Sequence, residues 1–313
     1  MSTYRRMSVP VRGGDLAVGT WGPEDGPAVL AVHGVTANHL TWPLVVKHLP
    51  GVRFIAPDLR GRGRSNALPG PWGMPQHADD LAAVLEHLGI ERAVVVGHSM
   101  GAFASLVLAN RHPDRVSSLV LVDGGLPLPT PEGVTDEELM TATLGPAAQR
   151  LSMTFASREE YREFWRQHPA FARDWSTLVE DYVDYDLVGQ EPNLHPSSSY
   201  DAVAADSIEL RGGESLLRAI DELARPATFI SAPRGLLDEV PPLYPAAAIR
   251  EWSAKLPALT VLAAEDVNHY TIVMSERGAQ TISRVVLDAV RNDAGQHDVK
   301  QHDVRRHSGV ERS

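Results

Sequence analysis

The passage from Ala93 to Asn110 limits the fold of this chain more than any other. Four apolar β-formers, Ala93-Val94-Val95-Val96, run through Gly97-His98-Ser99-Met100-Gly101 into Phe103, Leu106, Val107 and Leu108 at helical spacing. A strand with no polar alternation is buried on both faces, as in a parallel sheet covered by helices. A helix that starts within a few residues of it must turn back along that sheet. The junction is Gly-x-Ser-x-Gly, with glycines where the turn leaves no room for side chains. A serine held there is strained, presents its Oγ above the sheet and sits at a helix N-terminus whose amides favour developing negative charge. The alternative for Ser99 is an ordinary N-cap. The passage carries no charged residue, but Gly97, His98, Ser99 and Gly101 interrupt it, so it does not read as a membrane span.

The rest of the chain repeats this alternation. Two short β-rich runs, Ser8–Arg12 and Leu16–Thr20, flank Gly13-Gly14 and predict an antiparallel hairpin. Apolar runs at Ala28–Val32, Val52–Ala56, Ala93–Val96, Ser118–Val122, Thr228–Ser231 and Leu259–Ala263 predict buried parallel strands. Helical patterns fall between them at Trp42–Leu49, Gln76–Leu88, Met100–Asn110, Ala246–Lys255 and Ser275–Val290. In the second, Leu81, Val84, Leu85 and Leu88 share one face. The rhythm predicts an α/β fold, a mostly parallel sheet with helices on both faces.

It fails between Asp123 and Arg225, where helical patterns rich in aromatics predict an inserted helical cap. The expected organisation is a core of residues 1–125 and 223–291, a cap of 126–222 and an unstructured tail of 292–313. The tail repeats Gln296-His297-Asp298-Val299 at Gln301-His302-Asp303-Val304, and with nothing rigid to hold His297, His302 and His307 no metal site is expected.

The 40 acidic and 29 basic residues give a net charge of −11, which argues against a nucleic-acid surface. The cap holds 19 Asp and Glu, 7 Arg and no Lys, a charge of −12. If those carboxylates stand over the pocket mouth, neutral or weakly charged substrates are favoured. The chain has no cysteine, which removes disulfides, thiolate nucleophiles and Cys-based metal centres. Met1 to Gly14 lacks the long apolar stretch of a signal peptide, so a cytoplasmic location is expected.

Three further landmarks join the serine turn. His33-Gly34-Val35-Thr36 follows the third strand, and Asp58-Leu59-Arg60-Gly61-Arg62-Gly63-Arg64-Ser65 follows the fourth. A late histidine stands in Asn268-His269-Tyr270. With Gly97 to Gly101 they resemble the α/β-hydrolase fold serine hydrolases from the opening hairpin to Val290. Asp58 to Ser65 is no phosphate loop, because it lacks Gly-x-x-x-x-Gly-Lys, and Arg60 is expected to shape the loop at the pocket rim.

The resemblance implies a triad and an oxyanion hole. Ser99 is the expected nucleophile and His269 the expected base, while His39, His48, His77, His87 and His112 lie on or beside helices read as surface helices. The expected acid is Asp238, in Gly235-Leu236-Leu237-Asp238 after the strand Thr228–Ser231. Asp123, at the end of the strand Ser118–Val122, is its competitor, and Glu239 and Asp266 are lesser ones. The amides of Val35 and Met100 form the expected oxyanion hole. His33 is expected to be a structural hydrogen-bonder and His98 to pack beside the turn. The cap aromatics Phe164, Trp165, Phe171, Trp175, Tyr182 and Tyr185 suit either a substrate site or helix packing.

The resulting expectation is a hydrolase without cofactor or metal that cleaves a carboxylic ester, lactone or related acyl compound through an acyl-enzyme. The alternatives are a C–C bond hydrolase of ring-cleavage products and a slow-turnover receptor built on the same pocket. Epoxide hydrolases and haloalkane dehalogenases are disfavoured, because their nucleophile at this turn is Asp.

Overall fold

The computed structural model describes residues 3–128 and 149–308. The chain opens with the hairpin β1 (Arg5–Val11) and β2 (Gly14–Trp21), paired antiparallel with Val11 opposite Gly14. The strands that follow are β3 (Ala28–Val32), β4 (Arg53–Pro57), β5 (Ala93–His98) and β6 (Val116–Val122). Helices α1 (Pro43–Lys47), α2 (Met74–His87) and α3 (Met100–Arg111) lie between them. The segment after β6 contributes α4 (Arg158–Arg166), α5 (Thr177–Asp186), a small hairpin of β7 (Leu187–Gln190) and β8 (Asn193–Pro196), α6 (Tyr200–Glu209) and α7 (Glu214–Asp221). The core resumes with β9 (Ala227–Ser231), α8 (Ala246–Lys255), β10 (Leu259–Ala263), α9 (Thr271–Met274) and α10 (Glu276–Ser308).

Eight strands form one sheet in the order β1-β2-β4-β3-β5-β6-β9-β10. Strand β2 runs antiparallel to β4, and the pairs from β4 to β10 are parallel. Successive side chains of a strand point to opposite faces, and two apolar cores follow from that alternation. Leu30, Val32, Val95, Leu119 and Phe229 pack on one side with Leu81, Leu85 and Phe103. Val29, Ala31, Val94, Val96 and Ile230 pack on the other with Trp42, Ile282 and Val286. Each such fully buried Val, Leu, Ile or Phe side chain contributes about 1.5–3 kcal/mol.

Three departures from expectation have physical causes. The segment expected to be purely helical contains the β7-β8 hairpin, whose four-residue strands are too short and polar to show as strands. Strand β10 is an edge strand with Leu262 39% exposed, so it is not buried like the central ones. Helix α10 continues past Arg291, where an unstructured tail was expected. No proline interrupts it, and the Arg92–Asp293 ion pair at 2.5 Å ties its continuation to the core. The side chains of His297, His302 and His307 lie outside the described residues.

The sheet order reverses at β3, which is flanked by β4 and β5. In parallel α/β sheets the crevice at the carboxyl ends of the strands beside such a reversal is where ligands bind. The segments carrying Val35, Ser99, Asp123 and His269 all follow strands of this sheet at that end.

Candidate active site

Ser99 follows β5 directly, with φ 53° and ψ −126°, a strained conformation for a residue with a side chain. The turn closes only because Gly97 and Gly101 flank it. A Cβ on Gly101 would stand 2.1 Å from the Val32 carbonyl oxygen, and one on Gly97 would stand 2.4 Å from the Gly101 oxygen. The Ser99 amide donates to the Val122 carbonyl at 2.9 Å, which holds the turn against β6. The loop after β3 also approaches the serine, since a Cβ on Gly34 would lie 3.2 Å from Ser99 Cβ and 3.6 Å from its Oγ.

His269 lies between β10 and α9, and its position is fixed from two sides. His98 Nε2 donates to the His269 carbonyl at 2.8 Å, and the two imidazole rings lie 4.8 Å apart. Desolvation, reinforced by His269, holds the His98 pKa well below its ordinary value, so His98 acts as a neutral donor. Asn268 secures the other side. Its Oδ1 accepts from the amides of Tyr270 and Thr271, and its Nδ2 donates to the Ala170 carbonyl. Sequence reasoning gave Asn268 no role and His98 only packing; the adjacency of Asn268 to His269 was the available signal.

The carboxylate on His269 belongs to Asp123. Its Oδ2 accepts from His269 Nδ1 at 2.7 Å, and its Oδ1 accepts from the Ala232 amide at 3.0 Å. Asp123 is fully buried after β6. The expectation that Asp238 fills this position is corrected. Asp238 faces Arg234 Nε at 2.6 Å and Asn268 Nδ2 at 3.0 Å. Desolvation pushes its pKa up, but those two bonds outweigh it and hold the carboxyl below its ordinary value. Glu239 accepts from the Leu237 amide, and Asp266 pairs with Arg173 and Arg234.

His33 does what was expected of it. It is fully buried, donates from Nδ1 to the Gly34 carbonyl at 2.8 Å and accepts from the Leu59 amide at Nε2, 2.9 Å. Desolvation lowers its pKa to about 4. His39 and His77, expected beside surface helices, are fully buried instead. His39 pairs with Asp58 at 2.8 Å and His77 with Asp206 at 2.9 Å. Arg60 is also buried, with a two-pronged contact to Asp80 and bonds to the carbonyls of Arg12 and Pro69.

Ser99, His98, Asp123 and His269 line one cavity with Gly34 and Val35. Its remaining wall is mostly apolar, with Phe103, Leu128, Leu210, Leu243, Tyr270 and Met274 among its members. Of the six aromatics singled out between β6 and β9 only Tyr182 belongs to the lining. Trp165 and Phe171 are buried in the second core, and the Tyr185 hydroxyl donates to Asp58. Among the described residues, no Arg, Lys or carboxylate from the segment between β6 and β9 lines the cavity. The carboxylates of Glu159, Asp174, Glu180 and Asp184 are each paired with an arginine elsewhere.

No group of three or more His, Cys, Asp or Glu able to hold a metal ion occurs among the described residues. No helix among them is long and apolar enough to cross a membrane.

Comparison with known proteins adds the relatives. Residues 27–175 match the family model described as alpha/beta hydrolase fold. The chain is 39% identical over 130 residues to lipase LipV of Mycobacterium tuberculosis, which covers 42% of this chain and 48% of the lipase, about half its length. It is 29% identical over 248 residues to 2-(acetamidomethylene)succinate hydrolase of Mesorhizobium japonicum, covering 76% of this chain and 75% of that one. A solved structure of E-2-(acetamidomethylene)succinate hydrolase superimposes with a TM-score of 0.75 at 24% identity, over 91% of this chain and all of that one.

Proposed function

Since the chain belongs to the α/β-hydrolase fold family, we propose that it is a serine hydrolase that cleaves a carboxylic ester, lactone or related acyl compound through an acyl-enzyme. The observation that carries this reading is the 2.7 Å contact between Asp123 and His269 beside a strained serine in the same cavity. With Nδ1–H donated to a buried carboxylate, the imidazole leaves Nε2 free to accept a proton. His269 takes the Ser99 proton as Oγ attacks the carbonyl carbon, then returns it to the departing alkoxide. Water activated by the same nitrogen hydrolyses the acyl-enzyme, and the free acid leaves with Ser99 restored. Asp123 holds the imidazole in place and stabilises the imidazolium that forms in each half-reaction.

The tetrahedral oxyanion is held by the amides of Met100 and Val35. Met100 is the first residue of α3, so its amide has no partner within the helix and sits at the positive end of the helix dipole. Val35 lies on the loop that approaches Ser99.

The apolar wall supports an uncharged acyl group. A succinate, as in the substrate named for the Mesorhizobium japonicum relative, would find no Arg or Lys among the described lining residues to meet its carboxylates. Mass spectrometry after treatment with a fluorophosphonate should place the adduct on Ser99. The kcat/KM for a neutral ester should exceed that for its anionic analogue of equal acyl length. Labelling elsewhere overturns the nucleophile, and preference for the anion overturns the substrate class.

A further inference from the structure

Three consecutive carbonyls after β3 each accept a hydrogen bond from a buried side chain. The Gly34 oxygen accepts from His33 Nδ1 at 2.8 Å, the Val35 oxygen from Arg62 Nε at 2.8 Å and the Thr36 oxygen from Arg150 Nη2 at 2.9 Å. A trans peptide is planar, so its N–H points away from the preceding C=O. Fixing the Gly34 oxygen therefore aims the Val35 amide, and fixing the next two carbonyls holds the planes that follow.

His33 belongs to the core, but the two arginines depend on the cap. Arg62 is ion-paired with Asp206 on α6, which also accepts from His77 and from the Gly73 amide. Arg150, which precedes α4, pairs through Nη1 with Asp186 at the end of α5, at 2.8 Å. Asp186 in turn accepts from the hydroxyls of Tyr161 and Ser197. Neither guanidinium has solvent access. Buried ion pairs add little net stability compared with apolar residues of the same volume. Orientation is what these two supply: a planar fork with one prong on a cap carboxylate and another on the loop.

We propose that Arg62 and Arg150 are positioning residues: with His33 setting the plane of the Val35 amide, they lock the next two planes of the loop to Asp206 on α6 and Asp186 on α5, so that the oxyanion hole keeps its geometry only while those two contacts hold. This rests on the serine hydrolase reading above. Because the amide binds charge that develops in the transition state, a misaimed loop lowers kcat and leaves ground-state binding nearly unchanged.

The test replaces Arg150 and its partner together, as Arg150→Met with Asp186→Asn, so that no lone charge stays buried. Arg62→Lys and Arg150→Lys serve as milder variants that keep the charge but lose the fork, and they decide the question if the double variant does not fold. For each, kcat and KM for a neutral ester are measured per active site titrated with fluorophosphonate, together with affinity for a trifluoromethyl ketone, whose adduct with Ser99 carries an oxyanion. The expected result is a loss of roughly 10–100-fold in kcat, somewhat less than removal of one donor. Ketone affinity should fall by a similar factor, with KM changed less than about threefold. Unchanged kcat per titrated site and unchanged ketone affinity, with only the melting temperature lowered, would overturn the proposal and leave the arginines as structural ties. Failure of the unsubstituted chain to label at Ser99 would instead remove the hydrolase reading, and this proposal with it.

Discussion

Replacing Asp123 with asparagine should cost far more than the same change at Asp238, and the structure says why. Both oxygens of Asp123 face donors: the Ala232 amide at 3.0 Å and His269 Nδ1 at 2.7 Å. Asparagine has only one acceptor oxygen, so its NH2 must confront one of them. Turned toward Ala232, it leaves a buried donor facing a donor, at about 1–3 kcal/mol of stability. Turned toward His269, it selects the tautomer with the proton on Nε2, which cannot accept from Ser99. Loss of the carboxylate in an equivalent setting lowers kcat by about 10⁴, or roughly 5.5 kcal/mol of transition-state stabilisation. Asp238→Asn keeps an oxygen for Arg234 and leaves the contact to Asp123 intact, so less than about tenfold is expected. The assay is steady-state hydrolysis of a neutral p-nitrophenyl ester by folded protein, checked by circular dichroism. If Asp123→Asn stays within tenfold of the parent, or Asp238→Asn proves the more damaging, Asp123 is not the orienting acid.

Ser99→Ala should abolish ester hydrolysis and fluorophosphonate labelling with little change in melting temperature, since only one oxygen beside a cavity is lost; undiminished turnover would refute the nucleophile. Gly101→Ala should cost at least about 2 kcal/mol and most of the activity, because its Cβ would sit 2.1 Å from the Val32 oxygen; a urea midpoint equal to that of the parent would show that the turn can widen. Stability should also fall in mild acid. His33 is held at about 4, chiefly by desolvation, against about 6.5 in the unfolded chain. The unfolded chain therefore binds the proton first, and this contribution is complete above pH 6.5 and lost as pH drops toward 4. The slope is about 1.4 kcal/mol per unit and the total roughly 3 kcal/mol. His168, also held at about 4, acts in the same direction, and equal urea midpoints at pH 7.5 and pH 5 would contradict the assignment.

What the sequence made legible was what periodicity encodes. Six apolar runs marked the parallel strands, and for all but the edge strand β10 the reason is that a strand buried on both faces has no polar alternation to obscure it. The glycine-flanked serine marked the turn, because backbone crowding there admits nothing larger. The buried polar groups were not legible. Arg60, Arg62 and Arg150 are inside the protein, whereas an arginine in a one-dimensional reading belongs on the surface. Each is buried because a carboxylate far along the chain meets it, as Asp206 meets Arg62, and no local pattern announces such a pair. His39 and His77 were misplaced for the same reason.

The choice of Asp238 over Asp123 as the partner of His269 follows from the same blindness to long-range charge. Asp123 and Asp238 both stand at positive φ, 44° and 65°, so backbone shape does not separate them. Register does. His98 of β5 lies opposite Val122 of β6, so the next residues on the two strands, Ser99 and Asp123, emerge side by side. Strand β9 stands one position further out, and Asp238 comes seven residues after its end. Charge completes the separation. Arg234, four residues before Asp238, takes that carboxylate at 2.6 Å and also binds Asp266, which in turn holds Arg173. A carboxylate already held by a guanidinium is a poorer partner for a histidine that must gain and lose a proton in each cycle. Among the described residues the Asp123 carboxylate accepts from the Ala232 amide and His269 and pairs with no arginine. Beside the place of Asp123 at the end of β6, the arginine four residues upstream of Asp238 was a further sequence signal for Asp123, because it makes Asp238 the acid of an ion pair.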